Sequence, residues 1–280
     1  MVLNCEEAIN WSEYYVEVIV GGISKLISIT ENGTCSLEVS FGNTYSVVLP
    51  NISSYPTPKT KEYISESLNR EIYYSYVPYG VFGLDELGRR YTIEQIESLS
   101  NKSIIKYGGL TNEKLDEGDN GFIWELGNEF APEDMMFATQ NVAFSEDLLP
   151  LLDKNTWYEL CDGKTYTKYI LSEAERLDIE APAASYCVNK ITTINKNIRV
   201  GFMPSSGQGL SLLNNSTLIN SLYSSIGIEC PFGKDKSTFW VAAQAANVAY
   251  GAIAKYDYQG VGIGQTYKNY TRKVFVIYPL

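Results

Sequence analysis

The sequence predicts a two-domain, β-rich chain: an all-β sandwich over residues 1–79, followed by an α+β domain over residues 80–280. Three observations carry this. Apolar and polar residues alternate through most of the first 80 positions, the period of strands with one buried face. The alternation breaks at Val77-Pro78-Tyr79-Gly80, where a proline and a glycine interrupt it. Capping patterns and helix-like stretches appear only beyond that point.

In chain order, Tyr14, Val16, Val18 and Val20 alternate with Glu13, Tyr15 and Glu17. Cys35, Leu37, Val39 and Phe41 alternate with Ser36, Glu38 and Ser40. Tyr45, Val47 and Leu49 follow, and Ile72, Tyr74 and Tyr76 close the set. Gly21-Gly22, Asn32-Gly33 and Gly42-Asn43 supply turns between the runs. Ser53 to Pro58, with two prolines, reads as a loop. The boundary can shift by a few residues, because Tyr79 to Leu84 also fits the first strand of the second domain.

Beyond the boundary, Thr92-Ile93-Glu94-Gln95 has the capping-box pattern and predicts a short helix. Ser172 to Glu175 repeats the pattern and predicts a second start. Pro182 fits the first turn of a helix running through Cys187 to Ile191. Arg199 to Met203 reads as a strand ended by Pro204. Leu210–Leu213 and Thr217–Ile226 read as helices, the second stopped by Gly227. Residues 102–170 read as a loop-rich insert. Between Trp240 and Val274 large aliphatics are sparse and Gly, Ala and Tyr dominate, which predicts a displayed segment held in an apolar frame.

Composition narrows the function. The net charge of -11 argues against nucleic acid and anionic membranes as partners. No run is long and apolar enough to insert into a membrane as a helix. The absence of histidine removes the commonest general base and metal ligand, which lowers the prior for a hydrolase, while carboxylate or lysine chemistry stays open. Five cysteines without CxxC spacing read mostly as small buried hydrophobes, Cys187 among them, with a disulfide between distant cysteines left open. Asp116, Glu117, Asp119 and Asn120 lack EF-hand spacing and read as a solvated turn. Gly260 to Gly264 lacks the spacing and following helix of a nucleotide loop. Glu129, Glu133 and Asp134 receive no role, and Trp240 reads as a core anchor. No cofactor or metal is expected. The first residues lack the basic and apolar regions of a signal peptide, so the expected route to an outside surface is assembly into a particle.

Several segments follow one another in a familiar order: Ala181-Pro182-Ala183-Ala184-Ser185-Tyr186-Cys187, Gly201-Phe202-Met203-Pro204-Ser205, Ile219-Asn220 through Ser225-Ile226-Gly227, and Phe239-Trp240. This order resembles the C-type-lectin-like domain of bacteriophage and bacteroidete adhesins, a group that includes the variable proteins of diversity-generating retroelements. Gly80-Val81-Phe82-Gly83-Leu84-Asp85-Glu86-Leu87-Gly88-Arg89-Arg90-Tyr91 resembles the segment that follows an Ig-like sandwich in those proteins. The likeness touches most of the chain except residues 102–170. Two departures stand out: Trp240 is followed by Val241-Ala242-Ala243-Gln244 instead of Ser-Ser-Thr, and the last strand reads Val274-Phe275-Val276-Ile277 instead of Val-Arg-Pro-Val.

The resemblance implies an Ig-like sandwich that anchors or spaces, and a C-type-lectin-like domain that displays a ligand-binding face. Carried over by position, the face is Trp240 to Arg272, with Asn247, Tyr250, Tyr256, Tyr258, Tyr267, Asn269, Tyr270 and Arg272 as contact residues. Tyrosine and asparagine suit that role, giving amphipathic contact area and adaptable hydrogen bonds. The implied protein is a non-enzymatic virion component of the phage head-fibre or tail-fibre kind. It would be oligomeric, and would bind other virion proteins and a host cell-surface protein or glycan. A purely structural decoration protein and a bacterial surface adhesin are the alternatives. A relative of the formylglycine-generating enzymes is the rival from another class, and would need two cysteines close together in a cleft. Neither the Glu-Pro-Asn nor the Trp-Asn-Asp triplet of calcium-dependent sugar-binding lectins occurs.

Overall fold

The computed structural model describes residues 1–5, 8–52, 55, 57–58, 60, 62–65, 71–76, 79–111, 121–149, 151–152, 161–232, 237–245, 250–257 and 260–280. Val77-Pro78, half of Ser53–Pro58 and the acidic turn at 116–120 lie outside these residues.

The first part of the chain holds β1 (Val2–Cys5), β2 (Tyr15–Val20), β3 (Ile23–Ser28), β4 (Thr44–Val48), β5 (Tyr63–Ile64) and β6 (Tyr73–Tyr76). β2 to β5 form an antiparallel sheet in the order β3-β2-β4-β5, and β1 pairs in parallel with β6. Gly21 and Gly22 join β2 to β3 with φ of 55° and 81°, two consecutive left-handed positions that match the twist of a tight hairpin. Val16, Val18, Tyr45, Val47 and Tyr63 face inward and pack with Leu3, Ile72, Tyr74 and Tyr76. That apolar core is made of residues 3–76. The Tyr63 and Tyr74 hydroxyls meet inside it at 2.6 Å, so the aromatic bodies are buried without leaving a phenol unpaired.

One expected strand is replaced by another. Residues 35–40 alternate in burial, with Cys35 buried and Leu37 and Val39 half-buried, but they join no strand ladder. Phe41 is 82% exposed. An extended segment can lie along a core without pairing, and period-two alternation reports burial rather than hydrogen bonding. The additional strand is β3, five of whose six residues are exposed, so no apolar period marks it.

The remainder holds β7 (Gly80–Asp85), β8 (Arg90–Tyr91), α1 (Ile93–Ser98), β9 (Ile105–Thr111), β10 (Gly121–Glu125), β11 (Met135–Met136), β12 (Leu151–Leu152), α2 (Gly163–Arg176), α3 (Pro182–Val188), β13 (Ile191–Ile194), β14 (Asn197–Val200), α4 (Ser206–Asn214), α5 (Ser216–Ile226), β15 (Ser237–Ala245), β16 (Tyr250–Asp257), β17 (Gly260–Tyr267), β18 (Thr271–Arg272) and β19 (Tyr278–Pro279). One sheet runs β19-β10-β9-β7-β8, and a second runs β12-β15-β16-β17. Both lie between two apolar clusters. Trp240, Ala242 and Ile253 face one, and Phe239, Val241, Ala252, Ala254 and Ile263 face the other. The closing run divides the same way, with Val274 and Val276 in one cluster and Phe275 and Ile277 in the other.

The reading of residues 102–170 as a loop-rich insert is corrected: β9 and β10 are inner strands of the five-stranded sheet. Gly108 and Gly109 occur where turns are expected, but here they let the rings of Trp124 and Phe82 lie against the strand, where a Cβ would come within about 2.5 Å of each. The second capping box is also corrected. α2 begins nine residues earlier, with Asp162 accepting from the Thr165 amide, and Ser172 sits inside the helix. α3 ends at Val188, and Ile191 starts β13. The strand expected at Arg199–Met203 forms as β14, Asn197–Val200, with Phe202 bridging Ile277 beyond it. Thr92 and Gln95 form the expected capping box, Pro182 occupies the first turn of α3, and Gly227 ends α5 in the left-handed region. A further capping box, Ser205 with Gln208, starts α4.

The Gly80–Tyr91 segment is the β7–β8 hairpin, held by Asp85. This buried carboxylate accepts from the amides of Leu87 and Arg89, from Arg89 Nε and from the Tyr91 hydroxyl. The Arg89 guanidinium also lies 5.6 Å from the Tyr73 ring of β6, so the hairpin touches the first part of the chain.

Candidate functional site

The interior of the Trp240–Val274 segment is core rather than display. Small residues serve close packing there: a Cβ on Gly251 would sit 2.8 Å from the Trp240 ring. Trp240 is fully buried and its Nε1 donates to the Met135 carbonyl at 2.7 Å, in agreement with its reading as an anchor. What reaches the surface is the end of the β16–β17 ladder and the turn beyond it.

Tyr250 opens β16 and pairs with Tyr267, which closes β17. Their ring centroids are 4.5 Å apart, and Tyr270 packs edge-on against Tyr267 at 5.3 Å. Tyr267 and Tyr270 are 38% and 51% exposed. A hydrogen bond with Tyr267 pushes the Tyr250 hydroxyl above the ordinary phenol range, so this phenol stays neutral at physiological pH. The Tyr270 amide donates to the Tyr267 carbonyl at 3.0 Å and closes the turn. Asn269 is exposed at its tip. Arg272, in β18, donates to Thr266 Oγ1 at 3.2 Å and to the Thr271 carbonyl at 2.7 Å.

Beneath this rim sits a polar network the sequence did not reveal. Lys268, between the exposed tyrosines, is fully buried. Its Nζ donates to the Val142 carbonyl at 2.6 Å and to Gln244 Oε1 at 2.9 Å, and lies 4.2 Å from the Phe144 ring. Gln244 is fully buried too: its Oε1 accepts from the Phe144 amide at 3.0 Å, and its Nε2 donates to the carbonyls of Phe144 and Leu149. Burial pushes the Lys268 amine down to about 8, against the opposing pull of the Glu173 carboxylate. Two further bonds complete the clamp: the Ala138 amide donates to the Lys268 carbonyl at 3.1 Å, and the Asn269 amide to the Asn141 side-chain Oδ1 at 3.0 Å. The turn is therefore held from below by a buried cation whose partners are fixed elsewhere in the chain. Gln244 left a trace in the sequence, as the one polar residue in Val241-Ala242-Ala243-Gln244-Ala245. Lys268, in a polar stretch, left none.

Of the eight expected contact residues, Tyr250, Tyr267 and Tyr270 pack together and Asn269 sits on the same turn, while Arg272 reaches Thr266 from β18. Tyr256 lies six residues along β16, roughly 20 Å away at strand rise, half-buried against the core. Asn247 and Tyr258 lie outside the described residues. Clefts of about 440, 200 and 340 Å³ occur beside Asn4, Glu94 and Leu99, beside Tyr73, Asn195 and Arg199, and beside Ile19, Asn43 and Glu62, and none is lined by any of the eight. Tyr267 and Tyr270 are exposed at the surface. Among the described residues no group of three or more acidic or cysteine side chains is placed to hold a metal ion, and no helix is long and apolar enough to cross a membrane. Cys187 is fully buried, and burial pushes its thiol up. Glu129 accepts from the buried Tyr223 hydroxyl at 2.8 Å, and Asp134 pairs with Lys273 at 3.0 Å. No protein-family model, curated protein or solved structure matches the chain.

Proposed function

We propose that this chain is a non-enzymatic recognition protein, a virion component of the phage head-fibre or tail-fibre kind. In this reading residues 1–79 are an Ig-like sandwich and residues 80–280 a C-type-lectin-like domain. The domain touches a host cell-surface protein or glycan through Tyr250, Tyr267 and Tyr270. The observation that carries the reading is the pinned aromatic rim: packed tyrosines on a short turn, fastened from beneath by Lys268. Rigid tyrosines bind at low entropic cost, because their geometry is fixed before the partner arrives. An exposed cluster of aromatic side chains on a turn suits a macromolecular partner. The motif order of the chain supports the setting.

The test is saturable binding of fluorescent protein to a panel of bacterial cells, comparing wild type with a Tyr250→Ser, Tyr267→Ser, Tyr270→Ser variant of matched circular dichroism. The reading expects one cell type bound by wild type and at least about a hundredfold weaker binding by the variant, since a few aromatic anchors carry most of an interface's energy. Equal binding by both proteins would move the site elsewhere, and no binding to any cell would favour a structural role in the particle.

A further inference from the structure

β3 ends the first sheet with an exposed, partly apolar outer edge. β3 is the terminal strand of its sheet, and among the described residues no strand pairs with its far side. Ile23 is 76% and Leu26 64% exposed on it. The register sets Leu26 and Val48 on either side of Glu17 and places Tyr15 next along β2 on the same face. Val48 and Tyr15 are 47% and 53% exposed. Long exposed apolar edges are rare in isolated proteins, because they template pairing with another strand.

The pattern of free backbone groups selects the partner. The two-residue Gly21-Gly22 turn makes Val20 and Ile23 the closing hydrogen-bonded pair of the hairpin. Alternation along an antiparallel ladder then turns the amides and carbonyls of Ile23, Lys25 and Ile27 toward β2, and those of Ser24, Leu26 and Ser28 outward. Two copies related by a two-fold axis through this edge must pair residues of like parity to keep both faces continuous. Two such registers overlap the strand almost fully. One opposes Lys25 to Lys25 of the second copy at the closest spacing, roughly 4.5 Å between Cα atoms, and like-charge repulsion disfavours it. The other opposes Leu26 to its own copy, Ser24 to Ser28, and Lys25 to Ile27. It uses the three outward-facing residues as its hydrogen-bonded pairs. Lys25 thus blocks one register and leaves the self-complementary one.

We propose that the chain forms a two-fold dimer by antiparallel pairing of β3 with β3 of a second copy, centred on Leu26. The four-stranded sheets join into one sheet of eight, and the Leu26 side chains cover each other on the outer face. The Ser24 hydroxyl already donates to Glu17, which turns the nearest carboxylate aside from that contact.

Sedimentation velocity on the full chain over roughly 1–200 µM, the range in which a small contact dissociates, tests this. Wild type is expected to move from monomer to dimer. Leu26→Lys and Leu26→Glu should each weaken association at least about tenfold, because like charges then face each other across the axis. Their equimolar mixture should restore the dimer as a heterodimer, which a misfolded variant could not do. A wild-type protein that stays monomeric, an oligomer that survives Leu26→Lys, or a mixture that does not recover would each overturn the proposal.

Discussion

The sheet of β2–β5 and the sheet built on β15–β17 each have four strands, yet they bury them differently. The first presents one face to its core and leaves Tyr15, Leu26 and Val48 on the other face in water. The second is covered on both faces, by Trp240 and Ile253 on one side and Phe239, Val241 and Ala254 on the other. A strand with one wet face must alternate; a strand between two cores need not. The first kind of sheet tolerates exchange on its outer face and can recruit a partner there. In the second, a polar side chain that faces a core must be matched inside the protein, as Gln244 is by the Lys268 amine and the Leu149 carbonyl.

The largest effect expected from this contrast is at Trp240. Trp240→Ala should cost about 3–5 kcal/mol, from the cavity between the sheet and Phe137 and the orphaned Met135 carbonyl. Leu26→Thr, on the wet face, should change monomer stability by less than about 0.5 kcal/mol. Urea denaturation at low protein concentration measures both, and a small loss at Trp240 would break the comparison.

A smaller effect should appear in the pH dependence. Lys268 titrates near 8 in the folded protein, against 10.5 for an ordinary lysine. The unfolded chain therefore binds the extra proton between these values, and stability rises with pH across that window. Burial raises the phenols of Tyr76, Tyr223 and Tyr278, so the stability they contribute is full below their ordinary value of 10 and is lost above it. Thermal unfolding should show stability climbing by roughly 1 kcal/mol from pH 8 to about 9, then turning over, because burial also raises the thiols of Cys35, Cys187 and Cys230 above their ordinary value of 9 and their contribution is lost from there upward. Lys268→Met should remove the climb and keep the fall.

The same contrast explains what could be read in advance. Val16, Val18, Tyr45 and Val47 announced their strands because the inward residues recur at every second position, with Glu17 and Ser46 between them. β3 carries no such period, since nearly all of it is exposed. β9 looked like a loop because two of its core positions are the glycines Gly108 and Gly109. Each of those glycines gives up its own side chain to a ring from a neighbouring strand, Phe82 or Trp124, and that exchange is invisible along the chain. Capping chemistry was legible at Thr92 and Gly227, where four or five adjacent residues decide the outcome. It misled at Ser172, where the longer apolar face of α2 overrode a local cap. At the site, the tyrosines stood out by residue type, whereas the contact between Lys268 and Val142 joins positions far apart in sequence that only the fold brings together.

The measurement that tests most directly whether a buried amine holds the aromatic rim is amide hydrogen exchange in Lys268→Met. Removing the donor to Val142 and Gln244 should speed exchange at Ala138, Asn269 and Tyr270 by about tenfold or more, through local opening, while the β2–β4 ladder keeps its protection. Unchanged exchange at those three amides would mean that the turn stands without its cation, and would contradict the account.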